Sequence, residues 1–202
     1  MQVKNRQKQD IANPNNDPAI AAVMDRYAVS LTDTVLAAMD AQNPADPVAR
    51  QYLPAADELV NTPEELADPI GDDAHSPVKG IVHRYPDRVL LKPVHVCAVY
   101  CRFCFRREKV GPGSEALSED ELAAALDYIR RAPNVWEVIL TGGDPLVLSP
   151  RRLSAIMAAL GDMPHVEVIR FHTRVPIAAP DRVTPEMIAA LQSDKAVYTV
   201  VH

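Results

Sequence analysis

This sequence of 202 residues has no apolar run approaching the roughly 20 residues that a membrane-spanning helix needs, which excludes such a helix. It has no basic surplus either. Its 27 Asp and Glu outweigh 21 Lys and Arg, and the net charge of −6 argues against a nucleic-acid binder, whose phosphate contacts need a basic face. The first ten residues, Met1 to Asp10, lack the apolar core of a secretory signal, so the expected setting is the reducing cytoplasm. Cysteine is scarce: there are three, an odd number bunched in one segment, which argues against a disulfide framework. What remains, 48% hydrophobic and 24% charged, is ordinary globular protein, long enough for one large domain or a small one plus part of a larger.

The few thiols are concentrated. Cys97-Ala-Val-Tyr-Cys101-Arg-Phe-Cys104 spaces them four and then three apart, close enough to converge on one inorganic centre. Three protein ligands are one short of a closed structural metal site, so one coordination position is left for another molecule. A Cys3His zinc site using His95 competes, although His95 lies only two residues before Cys97, a tight reach for a shared tetrahedron. Arg102, Arg106, Arg107 and Lys109 gather around the thiols. In an acidic chain this reads as charge for a metal centre, cofactors and substrate rather than for a polynucleotide.

Residues 1 to 80 read as a helical and irregular wrapping region. Asp17 caps and Pro18 opens one helix, and Thr62-Pro-Glu-Glu65 is a capping box for a short second one. Asn43 to Pro47 and Pro54 interrupt the pattern, and Asp68 to Pro77, with Asp68, Asp72 and Asp73, reads as a solvated linker. Residues 81 to 202 read instead as strands alternating with helices. Strands are expected at Val89–Val94, Val135–Thr141, Val166–Phe171 and Ala196–Val201. Helices are expected after Ser118, with Leu122, Ala125, Leu126 and Ile129 on one face, after Ser149, with Leu153, Ile156, Met157 and Leu160 on one face and Gly161 as the stop, and after Thr184. Such repeats predict a parallel α/β sheet, and the polar motifs fall just after strands, where these folds place their sites. Four strands cannot close a barrel and would leave an exposed edge at Tyr198–His202. The chain is therefore expected to be a fragment of a longer protein, a partial (β/α) barrel behind an N-terminal helical layer, prone to associate as a homo-oligomer.

In their order, these segments resemble the lysine 2,3-aminomutase family of radical S-adenosylmethionine (SAM) enzymes over residues 20 to 202, most closely from Ser76 onward. The resemblance is carried by His83-Arg-Tyr-Pro-Asp-Arg88-Val-Leu-Leu, Cys97 through Arg107, Thr141-Gly-Gly-Asp-Pro-Leu146, Pro164-His-Val-Glu-Val-Ile-Arg170 and Thr173-Arg-Val-Pro176. It implies a radical SAM barrel and an isomerase that moves the amino group of L-lysine from the α- to the β-carbon. Cys97, Cys101 and Cys104 would hold a [4Fe-4S] cluster whose fourth iron chelates SAM. One electron from a flavodoxin or ferredoxin would cleave SAM to methionine and a 5′-deoxyadenosyl radical, which takes hydrogen from lysine joined to pyridoxal 5′-phosphate (PLP).

The same resemblance assigns residues. Arg84 and Arg88 hold the PLP phosphate, a task suited to the planar guanidinium fork, with Tyr85 beside the ring. Arg106 pairs with the substrate carboxylate. Gly142 and Gly143 admit the methionine part of SAM, Asp144 orders that loop or meets the SAM amino group, and Phe103 packs on the adenine. Arg174 reaches the SAM carboxylate or ribose in preference to His172, read as a satisfied core histidine like His83, His95 and His165. Without the resemblance, Arg84 and Arg88 read as a solvated pair in a turn, Arg106 as support for the thiols and Phe103 as core.

Two family features lie outside these residues. None of Lys4, Lys8, Lys79, Lys92, Lys109 and Lys195 matches the lysine that anchors PLP, so no catalytic residue is assigned, and the acidic residues that grip the substrate ε-ammonium are missing too. Lysine specificity thus rests on the resemblance. An enzyme modifying a lysine of elongation factor P is the alternative, followed by a zinc- or cluster-binding module without catalysis.

Overall fold

The alternating second half of the sequence forms a sheet whose strands run in chain order. The computed structural model describes residues 16–40, 42–111 and 116–202. The strands are β1 (Ile81–Tyr85), β2 (Arg88–Val94), β3 (Glu137–Gly142), β4 (Val168–Thr173) and β5 (Ala196–Val201). The four expected strands, β2 to β5, pair in parallel. β1 is an addition: it runs antiparallel to β2 through the turn at Pro86 and Asp87, with Tyr85 opposite Arg88. The result is the expected α/β, partial-barrel architecture with one strand more.

Among the described residues seven α-helices accompany them: α1 (Pro18–Arg26), α2 (Asp33–Ala38), α3 (Ala49–Tyr52), α4 (Glu119–Arg130), α5 (Pro150–Gly161), α6 (Val175–Ala178) and α7 (Pro185–Ala190). Side chains satisfy the first free N–H groups of most of them. Asp17 accepts from Ala19, Ser118 and Glu121 cap each other's backbone, Ser149 accepts from Arg152 and Thr184 from Met187.

The two-residue period of a strand sorts the sheet into two faces. Val89, Leu91, Val138, Leu140, Ile169 and Phe171 share one, buried in a core with Ala125 and Ile129 of α4, Leu153, Ile156 and Leu160 of α5, and Met187 of α7. The other face carries Arg88, Leu90, Lys92, Glu137, Ile139, Arg170, His172 and Tyr198, none of which joins that core. This second face corresponds to the inside of a barrel.

The N-terminal layer packs at the carboxyl ends of the strands. Leu31, Val35 and Tyr52 form a second small core with Val99 of the cysteine loop and Ala178 of α6, and Thr32 donates through Oγ1 to the Ala178 carbonyl. Two expectations fail here. Thr62–Glu65 makes only a turn, closed by Glu65 N–H on the Thr62 carbonyl at 3.1 Å. Leu66 behind it is exposed with no face to bury, and Pro69 disfavours helix at Asp68. The supposed solvated linker is also partly interior, since Asp72 is only 2% exposed. Among the described residues no helix is long and apolar enough to cross a membrane.

Candidate functional site

The cysteine loop leaves the end of β2 and is seated by backbone contact with the end of β3. Gly143 N–H donates to Val94 O at 2.7 Å and Asp144 N–H to Val96 O at 3.0 Å. A Cβ on Gly143 would stand 2.3 Å from Val96 O, so a larger residue would force the loop off the sheet. Gly142, with φ of +115° and a virtual Cβ 2.5 Å from Val94 O, is bound by the same constraint. On the side where a Cβ would project the space is filled by the chain itself, which places the loop carrying Cys97.

Asp144 is the hub behind that turn. Its carboxylate accepts from Leu146 N–H at 3.0 Å, Thr173 Oγ1 at 2.7 Å and Arg174 N–H at 2.7 Å, tying the ends of β3 and β4 together. These bonds hold the loop in place. The Arg174 side chain crosses to the N-terminal layer, where Nη1 donates to Tyr52 Oη at 3.0 Å, and its guanidinium carbon lies 5.3 Å from the centre of the Phe103 ring. Phe103 is 60% exposed, which removes the core-packing reading.

The three thiols are free and half-buried. Burial pushes the Cys97 thiol far up, and the Asp144 carboxylate adds to it. Burial raises Cys101 as well, with Arg174 offsetting part of it. Bare, Cys97 and Cys101 stay protonated; a metal centre would replace those protons by iron. Among the described residues no three His, Cys, Asp or Glu side chains converge on a single ion, and His95 does not join the thiols. A four-iron cluster asks for something else, because each thiolate ligates a different iron atom, and three thiols spread along one loop fit that demand. The loop is braced from outside. Arg102 donates to both Glu58 oxygens, at 2.9 and 2.6 Å, and to Ala28 O at 2.9 Å, while Arg107 stacks over Tyr27 at 4.5 Å.

The inner face of the sheet holds the other candidates. Arg84, Tyr85 and Arg88 line one cavity of about 190 Å³ with Ile70, Asp72 and Ile139. Arg88 already spends Nε and Nη2 on Asp87, at 3.0 and 2.9 Å, and its Nη1 stands 3.8 Å from Glu137. Glu137 is fully buried and also pairs with Arg170. Arg106 donates through Nε to Asp72 at 2.8 Å, and the Lys92 ammonium stands 3.4 Å from the same oxygen. Arg106 is therefore more than general support for the thiols, being locked to a buried carboxylate with Nη1 and Nη2 unpaired among the described residues. His83 and His165 are satisfied, by Tyr128 Oη at 2.7 Å and Ile129 O at 3.1 Å. His172 is not: its Nε2 is buried without a hydrogen-bond partner among the described residues, so it is no satisfied core histidine.

Sequence reasoning missed Asp72, Lys92, Glu137, Gln51 and Tyr52. Lys92 and Glu137 left a signal, each as the lone charge in an otherwise apolar expected strand, Val89–Val94 and Val135–Thr141.

A family model described as the radical SAM superfamily matches residues 91–199. Two curated L-lysine 2,3-aminomutases are each 38% identical to this chain, that of Acetoanaerobium sticklandii over 94% of it and that of Clostridium subterminale over 92%. A glutamate 2,3-aminomutase of Clostridioides difficile is 34% identical over 88% of it. The matched regions are 46%, 45% and 41% of those relatives, so the chain spans about half the length of the curated relatives it matches.

Proposed function

The chain belongs to the radical SAM superfamily, and on that premise we propose that it carries the cluster, SAM and PLP sites of a lysine 2,3-aminomutase working in a reducing, cytoplasmic setting. Membership implies a [4Fe-4S] cluster and SAM; PLP, L-lysine and a flavodoxin- or ferredoxin-like reductant belong to the proposal. When bound, these groups supply a carbon radical and a ring on which an amino group can migrate between neighbouring carbons.

The residues do the holding. Cys97, Cys101 and Cys104 give three thiolates to three irons and leave the fourth open to SAM. Asp144, through the docked Gly142–Gly143 turn, fixes the loop against β3. Arg174 offers its guanidinium, and Phe103 its exposed ring, to the SAM side of the loop. Arg84 and Arg88, which line the inner-face cavity, would hold the PLP phosphate, and the exposed Tyr85 would stand beside its ring. Arg106, held through Nε, presents both terminal nitrogens to the α-carboxylate of the amino-acid substrate.

The observation that carries this reading is the seating of all three thiols on one braced loop at the carboxyl end of β2. Anaerobic reconstitution with iron and sulfide tests it. A brown protein is expected whose reduced electron paramagnetic resonance changes on adding SAM, with Cys101→Ala abolishing both. A colourless protein, or a spectrum blind to SAM, overturns the reading. Supplying L-lysine and L-glutamate in parallel then reads the substrate from the β-amino acid formed.

A further inference from the structure

We propose that the N-terminal layer is part of the SAM site: Tyr52, with Gln51, is a positioning residue that clamps one end of the Arg174 guanidinium and leaves its other edge free for the SAM carboxylate. The inference rests on the reading above that SAM binds at the cysteine loop. Both residues lie outside the stretch that matches the superfamily, residues 91–199.

Arg174 is fixed at both ends. Its backbone N–H is taken by Asp144 at 2.7 Å. Its Nη1 donates to Tyr52 Oη at 3.0 Å, with Gln51 Oε1 at 3.4 Å. The guanidinium carbon also lies 5.9 Å from the centre of the Tyr52 ring and 5.3 Å from that of Phe103 of the cysteine loop. Neither Nε nor Nη2 has a hydrogen-bond partner among the described residues. Those two N–H groups form the planar fork that matches a carboxylate. Tyr52 is itself buried among Leu31, Val35 and Ala178. The same helix also reaches the loop between the thiols, since Gln51 O accepts from Arg102 N–H at 2.8 Å. A guanidinium held in this way loses little freedom when an anion arrives, which is how preorganisation raises affinity.

Tyr52→Phe keeps the buried ring and removes only the hydroxyl. In the reconstituted chain the dissociation constants of SAM and of decarboxylated SAM are measured, along with the reduced-cluster spectrum and the thermal midpoint. SAM should bind about five-fold more weakly, the worth of one ordinary hydrogen bond. Decarboxylated SAM should bind unchanged, with cluster content and midpoint as in the native chain. Arg174→Gln should lower the preference for the carboxylate to what the open iron alone supplies, after which adding Tyr52→Phe should cost nothing more. Equal weakening of both ligands would mean a loosened layer and would overturn the proposal, as would no change in either. A native cluster blind to SAM would instead fell the underlying reading, a result that needs no Tyr52 variant to recognise.

Discussion

On one face of the sheet Val89, Leu91, Val138, Leu140, Ile169 and Phe171 lie under three helices; one residue along on the same strands stand Arg88, Lys92, Glu137, Arg170 and His172. The first face is held by area removed from water, which has no direction and tolerates exchange among apolar residues of similar size. The second is held by paired charges, Arg88 and Arg170 about Glu137, Lys92 and Arg106 about Asp72. Buried charge pairs give little net stability, because desolvation consumes what attraction returns, yet losing one partner is costly. The inner face is therefore a poor way to stabilise a sheet and a good way to hold cations where an anionic ligand can meet them.

Substitutions on each face can break that contrast. Phe171→Ala should cost about 3–5 kcal/mol in denaturant unfolding, since the ring is fully buried under helices with no room to collapse. Asp72→Asn should cost less, about 2 kcal/mol, by leaving Lys92 and Arg106 without their counter-charge. That cost should depend on pH. Burial pushes the Asp72 carboxyl up, but Arg106 and Lys92 outweigh it and hold it below the usual carboxylate range. A native value below the unfolded one means stability present above about pH 4 and lost as the pH falls through the native value. The gap between the native chain and Asp72→Asn should thus be flat near neutrality and shrink in acid. Lys92→Met should have the smallest effect, within about 1 kcal/mol, because burial disfavours its ammonium more than Asp72 favours it. If Lys92→Met proved as damaging as Asp72→Asn, the inner face would be a stabilising network and the contrast would fall.

The covered face was the legible one. Its strands and the helices α4, α5 and α7 announce themselves by periodicity and by Ser118, Ser149 and Thr184 at their starts. β1 was not foreseen because His83–Arg88 reads locally as a turn-bearing motif, and only β2 makes a strand of its first half. α2 and α3, six and four residues long, are too short to show a period. Asp72 sits in a run of Gly and Asp that reads as solvent-exposed; its burial comes from Lys92 and Arg106, 20 and 34 residues away. In the site, the thiols, Arg84, Arg106 and Arg174 were named by motif. Tyr52, which holds Arg174, Asp72, which holds Arg106, and Glu58, which holds Arg102 between the thiols, were not, since pairing across a fold leaves no mark on local sequence.

Arg102 stands between two of the thiols and spends its whole guanidinium on Glu58 and Ala28. News of the loop therefore travels backward along the chain. A rearrangement around Cys101 and Cys104 should be felt at Glu58, and amide exchange in residues 51 to 58 should then report from a distance on what the thiols hold.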